Sequence, residues 1–191
     1  TLKPEDRLAA RRTDRRTVIV LNKADLTAFG AGGPLALSRR HAEAIRATTR
    51  TPTVPMVGLL AIAELDDELM DALRTLVDAP GDLTSTDAFV QSEHPLPPAV
   101  RRRLLDALDR FGIAHAVLAV EDGADVTAVR ALLRRLSNVE EAVAQVDAVA
   151  APLRYRRARS AITELHTLAL QSGDPQLAEF LATDDTVLAM M

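Results

Sequence analysis

The stretch Thr17-Val18-Ile19-Val20-Leu21-Asn22-Lys23-Ala24-Asp25 decides the fold class of this chain. Its first five residues are mostly β-branched or aliphatic, a composition typical of a buried parallel strand. A short polar tetrad follows at the carboxyl end of that strand, which is where open α/β sheets bind their ligands. The stretch therefore predicts a strand that carries Asn22, Lys23 and Asp25 to a binding edge.

The segment that follows predicts one parallel crossover unit. Pro34 can open a helix that runs to about Thr49, and a second strand is expected from Thr53 to Leu59. Pro55 lies inside that second strand, and a proline is tolerated there only at an edge position. A strand, a helix and a second strand over about 45 residues form one right-handed unit.

Asn22-Lys23-Ala24-Asp25 resembles the Asn-Lys-x-Asp guanine-recognition motif of GTPases. The resemblance implies that the Asp25 carboxylate accepts two hydrogen bonds from guanine, while Asn22 and Lys23 hold the loop and cover the base. It also implies a backbone N–H contact to the guanine oxygen from Gly58, although Val57 and Gly58 stand where Ser and Ala are expected. The alternative is an ordinary polar turn in which Asp25 caps a local backbone group.

The second half of the chain is predicted to be helical, and three segments extend the resemblance. Leu104–Ile113, Leu132–Val139 and Arg154–Ala161 follow one another as in actinobacterial dynamin-like (TRAFAC-type) GTPases, with Asn138 where a Gly is expected. The implied fold class is α/β plus α: a small parallel β remnant of a P-loop GTPase domain, then a helical bundle. The corresponding divisions are residues 1–78, a connector at 79–98, and 99–191. Residues 113–120 fit a helix or a strand, and the surrounding helices favour a helix.

The phosphate-binding half of a GTPase is missing from this sequence. No Gly-x-x-x-x-Gly-Lys-Ser/Thr segment is present, and the two lysines are Lys3 and Lys23. We therefore expect no catalytic residues and no GTPase activity in this chain alone. GTP or GDP would bind the intact parent, with Mg²⁺ at the absent phosphate site, and neither is expected to bind tightly here. The alternative is a non-enzymatic helical interaction or scaffold module.

Composition narrows the partners. The formal net charge of −4 gives no global positive field for nucleic acid, and the absence of cysteine excludes disulfides and thiol chemistry. The basic cluster Arg154–Arg159 is expected to be mainly solvated or ion-paired, with membrane contact a weaker alternative. Apolar helix faces predict self-association, or packing against the missing N-terminal GTPase portion. A cytoplasmic location is expected, with a position peripheral to a membrane as the alternative, since no apolar run approaches bilayer length.

Overall fold

A computed structural model describes residues 3–10, 17–27 and 32–183. These residues are mostly helical, with one small two-stranded parallel sheet. The elements in chain order are α1 Pro4–Ala10, β1 Ile19–Leu21, α2 Gly33–Thr49, β2 Thr53–Pro55, α3 Gly58–Ala61, α4 Asp67–Asp78, α5 Thr86–Gln91, α6 Pro98–Glu121, α7 Val126–Ser137, α8 Val139–Ser172 and α9 Pro175–Leu181. A 3₁₀ turn, Ala24–Leu26, follows β1.

The sheet pairs β1 with β2 in parallel, joined through α2. Ile19 lies opposite Thr53, and Leu21 lies opposite Pro55, so both strands end at the same edge. The second strand is shorter than the sequence predicted: it ends at Pro55, and α3 begins three residues later. The extension to Leu59 was wrong because the backbone N–H of Val57 leaves the sheet and donates to the carbonyl oxygen of Ser137 at 3.0 Å.

Helix starts are marked by side-chain caps that the sequence makes available. Asp66, Ser85 and Asp125 each accept a backbone N–H two or three residues into α4, α5 and α7, at 2.8–3.0 Å. Such caps satisfy amides that have no partner inside the helix. They explain why these helices begin where they do.

One apolar core lies between α3, α4, α5, α6 and α7. Its fully buried members include Leu60, Leu73, Phe89, Leu104 and Leu133. Phe89 belongs to the predicted connector, and Leu60 and Leu104 lie on either side of it. The core therefore contains residues from all three predicted segments, 1–78, 79–98 and 99–191. The division of the chain into two domains and a connector stays a prediction.

Residues 113–120, for which the sequence fitted either a helix or a strand, are helical and belong to α6. A glycine at position 112 predicts a break in this helix. The break lies instead at Asp109, whose backbone is non-helical with φ 53° and ψ 174°. Gly112 has a different role, because a methyl group added there would lie 2.6 Å from Leu60 Cδ2. The glycine allows α6 to approach α3 closely.

The long helix α8 leaves the core after its first turns. Helical spacing predicts that one bundle core contains Ile162, Leu165, Leu168 and Leu170 together with the preceding helices, but none of the four belongs to the core. Leu170 is 87% exposed, and the C-terminal part of α8 instead contacts α9. Helical periodicity shows which residues share a face, but it does not show whether another element covers that face.

Candidate functional site

The carboxyl ends of β1 and β2 bring the predicted recognition residues together. The Met56 N–H donates to the Leu21 carbonyl oxygen at 2.9 Å, and the Ala24 N–H donates to the Met56 carbonyl oxygen at 3.1 Å. The parallel ladder thus continues for one further step beyond the strands. As a result, the tetrad and the loop after β2 lie side by side at one edge of the sheet.

Asn22 joins the two loops through its side-chain oxygen. Asn22 Oδ1 accepts the N–H of Lys23 at 2.8 Å and the N–H of Gly58 at 2.9 Å. Lys23 itself has a left-handed backbone, with φ 59° and ψ 42°. A Cβ at position 58 would lie 3.0 Å from Asn22 Oδ1, so a glycine permits this close approach. The contact ties the tetrad to the start of α3.

The N–H of Gly58 is used differently from the sequence interpretation. The resemblance implied that it contacts a guanine oxygen, whereas in this structure it donates to Asn22. Guanine contact through Gly58 therefore stays a prediction, and it requires this N–H to be shared or released. Val57, the residue standing where Ser was expected, is buried and belongs to the core.

Asp25 is half-buried within the 3₁₀ turn and does not cap it, since Lys23 occupies the N-cap position. Burial raises the pKa of the Asp25 carboxyl, because the charged form loses water. A hydrogen bond from its own backbone opposes this rise, while the carboxylate of Asp109 adds to it and the ammonium of Lys23 opposes it. The break in α6 thus places a second acid within electrostatic range of the tetrad.

The corner between α7 and α8 holds the end of β2. Asn138 has a left-handed backbone, with φ 59° and ψ 26°, and its side-chain Nδ2 donates to the Pro55 carbonyl oxygen at 2.9 Å. A left-handed position is one where Gly is the usual residue and Asn the next choice, which explains why Asn can replace the expected Gly. The sequence identified position 138 as a departure but not its contact with the sheet.

Arginines on α6 and α8 have partners within the protein. Arg101 is only 2% exposed, and its guanidinium donates to the carbonyl oxygens of Phe89 and Ser92 at the end of α5. Arg103 forms ion pairs with Asp66 and Glu68. In the basic cluster on α8, Arg154 pairs with Asp147 at 3.1 Å. These contacts explain the positions of the three arginines, and no ligand is needed to explain them.

A large groove is separate from the tetrad. It has a volume of about 860 Å³ and lies between the end of α3, the start of α4, and α6 and α7. None of Asn22, Lys23, Asp25 and Gly58 lines it. Among the described residues, no group of three or more His, Asp or Glu side chains is placed to bind a metal ion. Nor does any helix in those ranges combine the length and apolarity that crossing a bilayer demands.

No family model matches this chain, and no curated protein or solved structure shows significant similarity to it.

Proposed function

We propose that Asn22, Lys23 and Asp25 form the base-recognition loop of a guanine-nucleotide-binding protein of the dynamin-like type. In this proposal the phosphate-binding loop and its Mg²⁺ are supplied from outside these 191 residues. The observation that supports it most is the 2.9 Å hydrogen bond between Asn22 Oδ1 and the Gly58 N–H. It joins the motif loop to the loop after the neighbouring parallel strand, so the two loops that the resemblance assigns to the base lie together at one edge of the sheet.

The chemistry of discrimination belongs to Asp25. An ionised carboxylate accepts hydrogen bonds only, and guanine offers two neighbouring donors, its ring N–H and its exocyclic amine. Adenine offers no such pair, so its approach would leave a carboxylate oxygen without a donor. Because the carboxylate is half-buried, an unpaired oxygen is costly, and the difference in affinity between the two bases grows.

Affinity for the whole nucleotide is expected to be low in this chain. Charge-assisted hydrogen bonds to phosphate are the strong ones, and the sequence has no phosphate loop to make them. For the same reason, phosphate release from GTP should not rise above the buffer level. Release that is measurable with the wild-type chain and lost in Asp25→Ala would contradict this part of the proposal.

A saturation-transfer NMR experiment with guanosine, adenosine and xanthosine tests the base preference directly. We expect a stronger signal from guanosine than from adenosine with the wild-type chain. Asp25→Asn should reverse the preference toward xanthosine, because an amide donates to the carbonyl oxygen that xanthine carries in place of the amine. Asp122→Asn, an exposed acid at the end of α6, is the matched control. Equal signals from guanosine and adenosine would refute base recognition.

A second candidate, a helical interaction module without nucleotide chemistry, is favoured by a specific feature of α8. Val143 and Val146 are 54% and 51% exposed, and Leu153 lies one heptad after Val146 on the same helix, also exposed. Exposed apolar residues at this spacing are typical of helices that pair with another helix. A second copy of the chain is the partner we propose, with sedimentation at tens of micromolar as the test. A monomer at that concentration would argue against it.

A further inference from the structure

A small cleft, separate from the large groove, lies between α2 and α7 beside Ala24 of the tetrad. Its volume is about 210 Å³, and its lining includes Ala24, the end of β2 at Pro55–Val57, and the guanidinium-bearing residues Arg39 and Arg135. The volume is below the range of roughly 300–1,000 Å³ that holds drug-sized ligands. Any ligand that fits it is therefore small.

The two helices that flank this cleft are strongly basic in a protein whose formal net charge is −4. Helices α2 and α7 carry three arginines each, against a single carboxylate, Glu43 on α2. A cleft lined by charges of one sign, with apolar walls, concentrates the electrostatic potential and attracts counter-ions. Here the walls are apolar, formed by Ala24, Leu35, Met56, Val57 and Leu136.

Neither cleft arginine is neutralised within the described part of the chain. The two acids nearest to Arg135 in sequence are engaged elsewhere, because Glu140 pairs with Arg134 and Glu141 accepts from Asn138 at 2.7 Å. No side-chain hydrogen bond or ion pair joins Arg39 or Arg135 to another described residue, including Glu43, one turn after Arg39. Arg135 is in the last turn of α7, where the negative end of the helix attracts its guanidinium and repels an anion, so both arginines are needed to hold an oxyanion there.

We propose that this cleft binds a small oxyanion, a free phosphate group or the phosphate of a small ester, between Arg39 and Arg135. Guanidinium groups bind tetrahedral oxyanions through paired N–H···O hydrogen bonds, and two of them match the double charge of phosphate. The apolar floor limits the size of the ester and excludes water from one side of the anion. This binding does not depend on guanine recognition, since inorganic phosphate carries no base.

Inorganic phosphate titrated into the full chain, at constant ionic strength maintained with chloride, tests the site. Thermal unfolding followed by circular dichroism should show a midpoint that keeps rising with phosphate, because one site on the folded chain adds RT ln(1 + [phosphate]/Kd) to the free energy of unfolding. Arg39→Gln and Arg135→Gln should each raise the dissociation constant about tenfold, which corresponds to the loss of one charge-assisted contact. Both side chains are exposed, so the fold should be retained, and the spectrum without phosphate verifies this.

Arg40→Gln is the matched control, because Arg40 is the adjacent exposed residue on α2 and does not line the cleft. An unchanged dissociation constant in this variant, together with losses in the two cleft variants, supports the site. A loss in Arg40→Gln equal to that in Arg39→Gln would overturn it, because the effect would then be one of overall charge. A midpoint that does not respond to phosphate in the wild-type chain would overturn it as well.

Discussion

Asn22 and Gly58 lie 36 residues apart in sequence and are joined by a hydrogen bond of 2.9 Å from the Gly58 N–H to Asn22 Oδ1. The bond spans the whole crossover unit and connects the two loops at the carboxyl edge of the sheet. Asn22 Oδ1 also accepts the N–H of Lys23, so one side-chain atom fixes both loops. This acceptor and the backbone bond from the Ala24 N–H to the Met56 carbonyl oxygen together position the candidate recognition loop.

We predict that Asn22→Ala lowers the free energy of unfolding by about 1 kcal/mol. The N–H groups of Lys23 and Gly58 lose their acceptor, and because both bonds are exposed, water replaces it in part. Urea unfolding followed by circular dichroism measures the change. Asn22→Asp keeps an acceptor oxygen at the same position and should lose less. If the two substitutions destabilise the chain equally, the shared acceptor is not what holds these loops.

Asp25→Asn is predicted to raise the free energy of unfolding at pH 7. The pKa of Asp25 is raised in the folded state, so the folded chain favours the protonated carboxyl and the ionised form weakens folding. Well below the ordinary pKa of 3.8, the carboxyl is neutral in both the folded and the unfolded chain, and folding carries no penalty. The penalty appears as the pH rises through the raised pKa of the folded state, where the buried carboxyl must ionise. The difference between Asp25→Asn and wild type should thus be present at pH 7 and disappear below pH 3.8.

Unfolding measured in urea at several pH values checks this prediction. Asp109→Asn provides an independent control, because removing the neighbouring carboxylate should lower the pKa of Asp25 and narrow the gap between wild type and Asp25→Asn. A stability difference that is the same at pH 7 and at pH 3 would show that Asp25 is not perturbed.

Gly112→Ala is predicted to destabilise the chain by about 1–3 kcal/mol, the usual range for overpacking a core. The added methyl group would lie 2.6 Å from Leu60 Cδ2, and Leu60 is fully buried with little room to move. Combining Gly112→Ala with Leu60→Ala should give a smaller loss than the sum of the two single changes, since the cavity accepts the methyl group. Additive losses would indicate that the two residues do not crowd each other.

Asn138→Ala is predicted to cost about 2 kcal/mol, the sum of a left-handed backbone without a glycine or asparagine and a lost hydrogen bond to Pro55. Asn138→Gly loses only the side-chain hydrogen bonds to Pro55 and Glu141, because glycine adopts the left-handed conformation readily. Its expected cost is about half as large. Thermal unfolding of both variants distinguishes them, and a glycine variant less stable than the alanine variant would contradict the backbone argument.

Much of the helical half could be predicted from local sequence. Apolar spacing indicated that this half is helical, and the structure shows the caps Asp66, Ser85 and Asp125 at the starts of α4, α5 and α7. The strand at Ile19–Leu21 was also indicated, since its composition is distinctive over a short range. These signals act between residues close in the chain, so a pattern can carry them.

The site was only partly predictable, because its contacts join distant residues. Asn22, Lys23 and Asp25 could be selected by their spacing, but nothing in the sequence indicated that the Gly58 N–H is donated to Asn22, or that Asp109 lies within electrostatic range of Asp25. The break at Asp109 was also not predicted, because glycine is the poorer helix former and Gly112 lies nearby. There, close packing against Leu60 decided how the glycine is used.

The sequence by itself determined the element types and their starts, through caps, strand composition and helical periodicity, because these depend on neighbours within about one turn of helix. The tertiary structure alone decided which apolar faces are covered. It placed Leu104 and Leu133 inside the core and left Leu170 exposed on α8, although all three have the same helical spacing. It also brought Arg39 and Arg135 to one cleft, because only packing between elements brings charges from separate helices together.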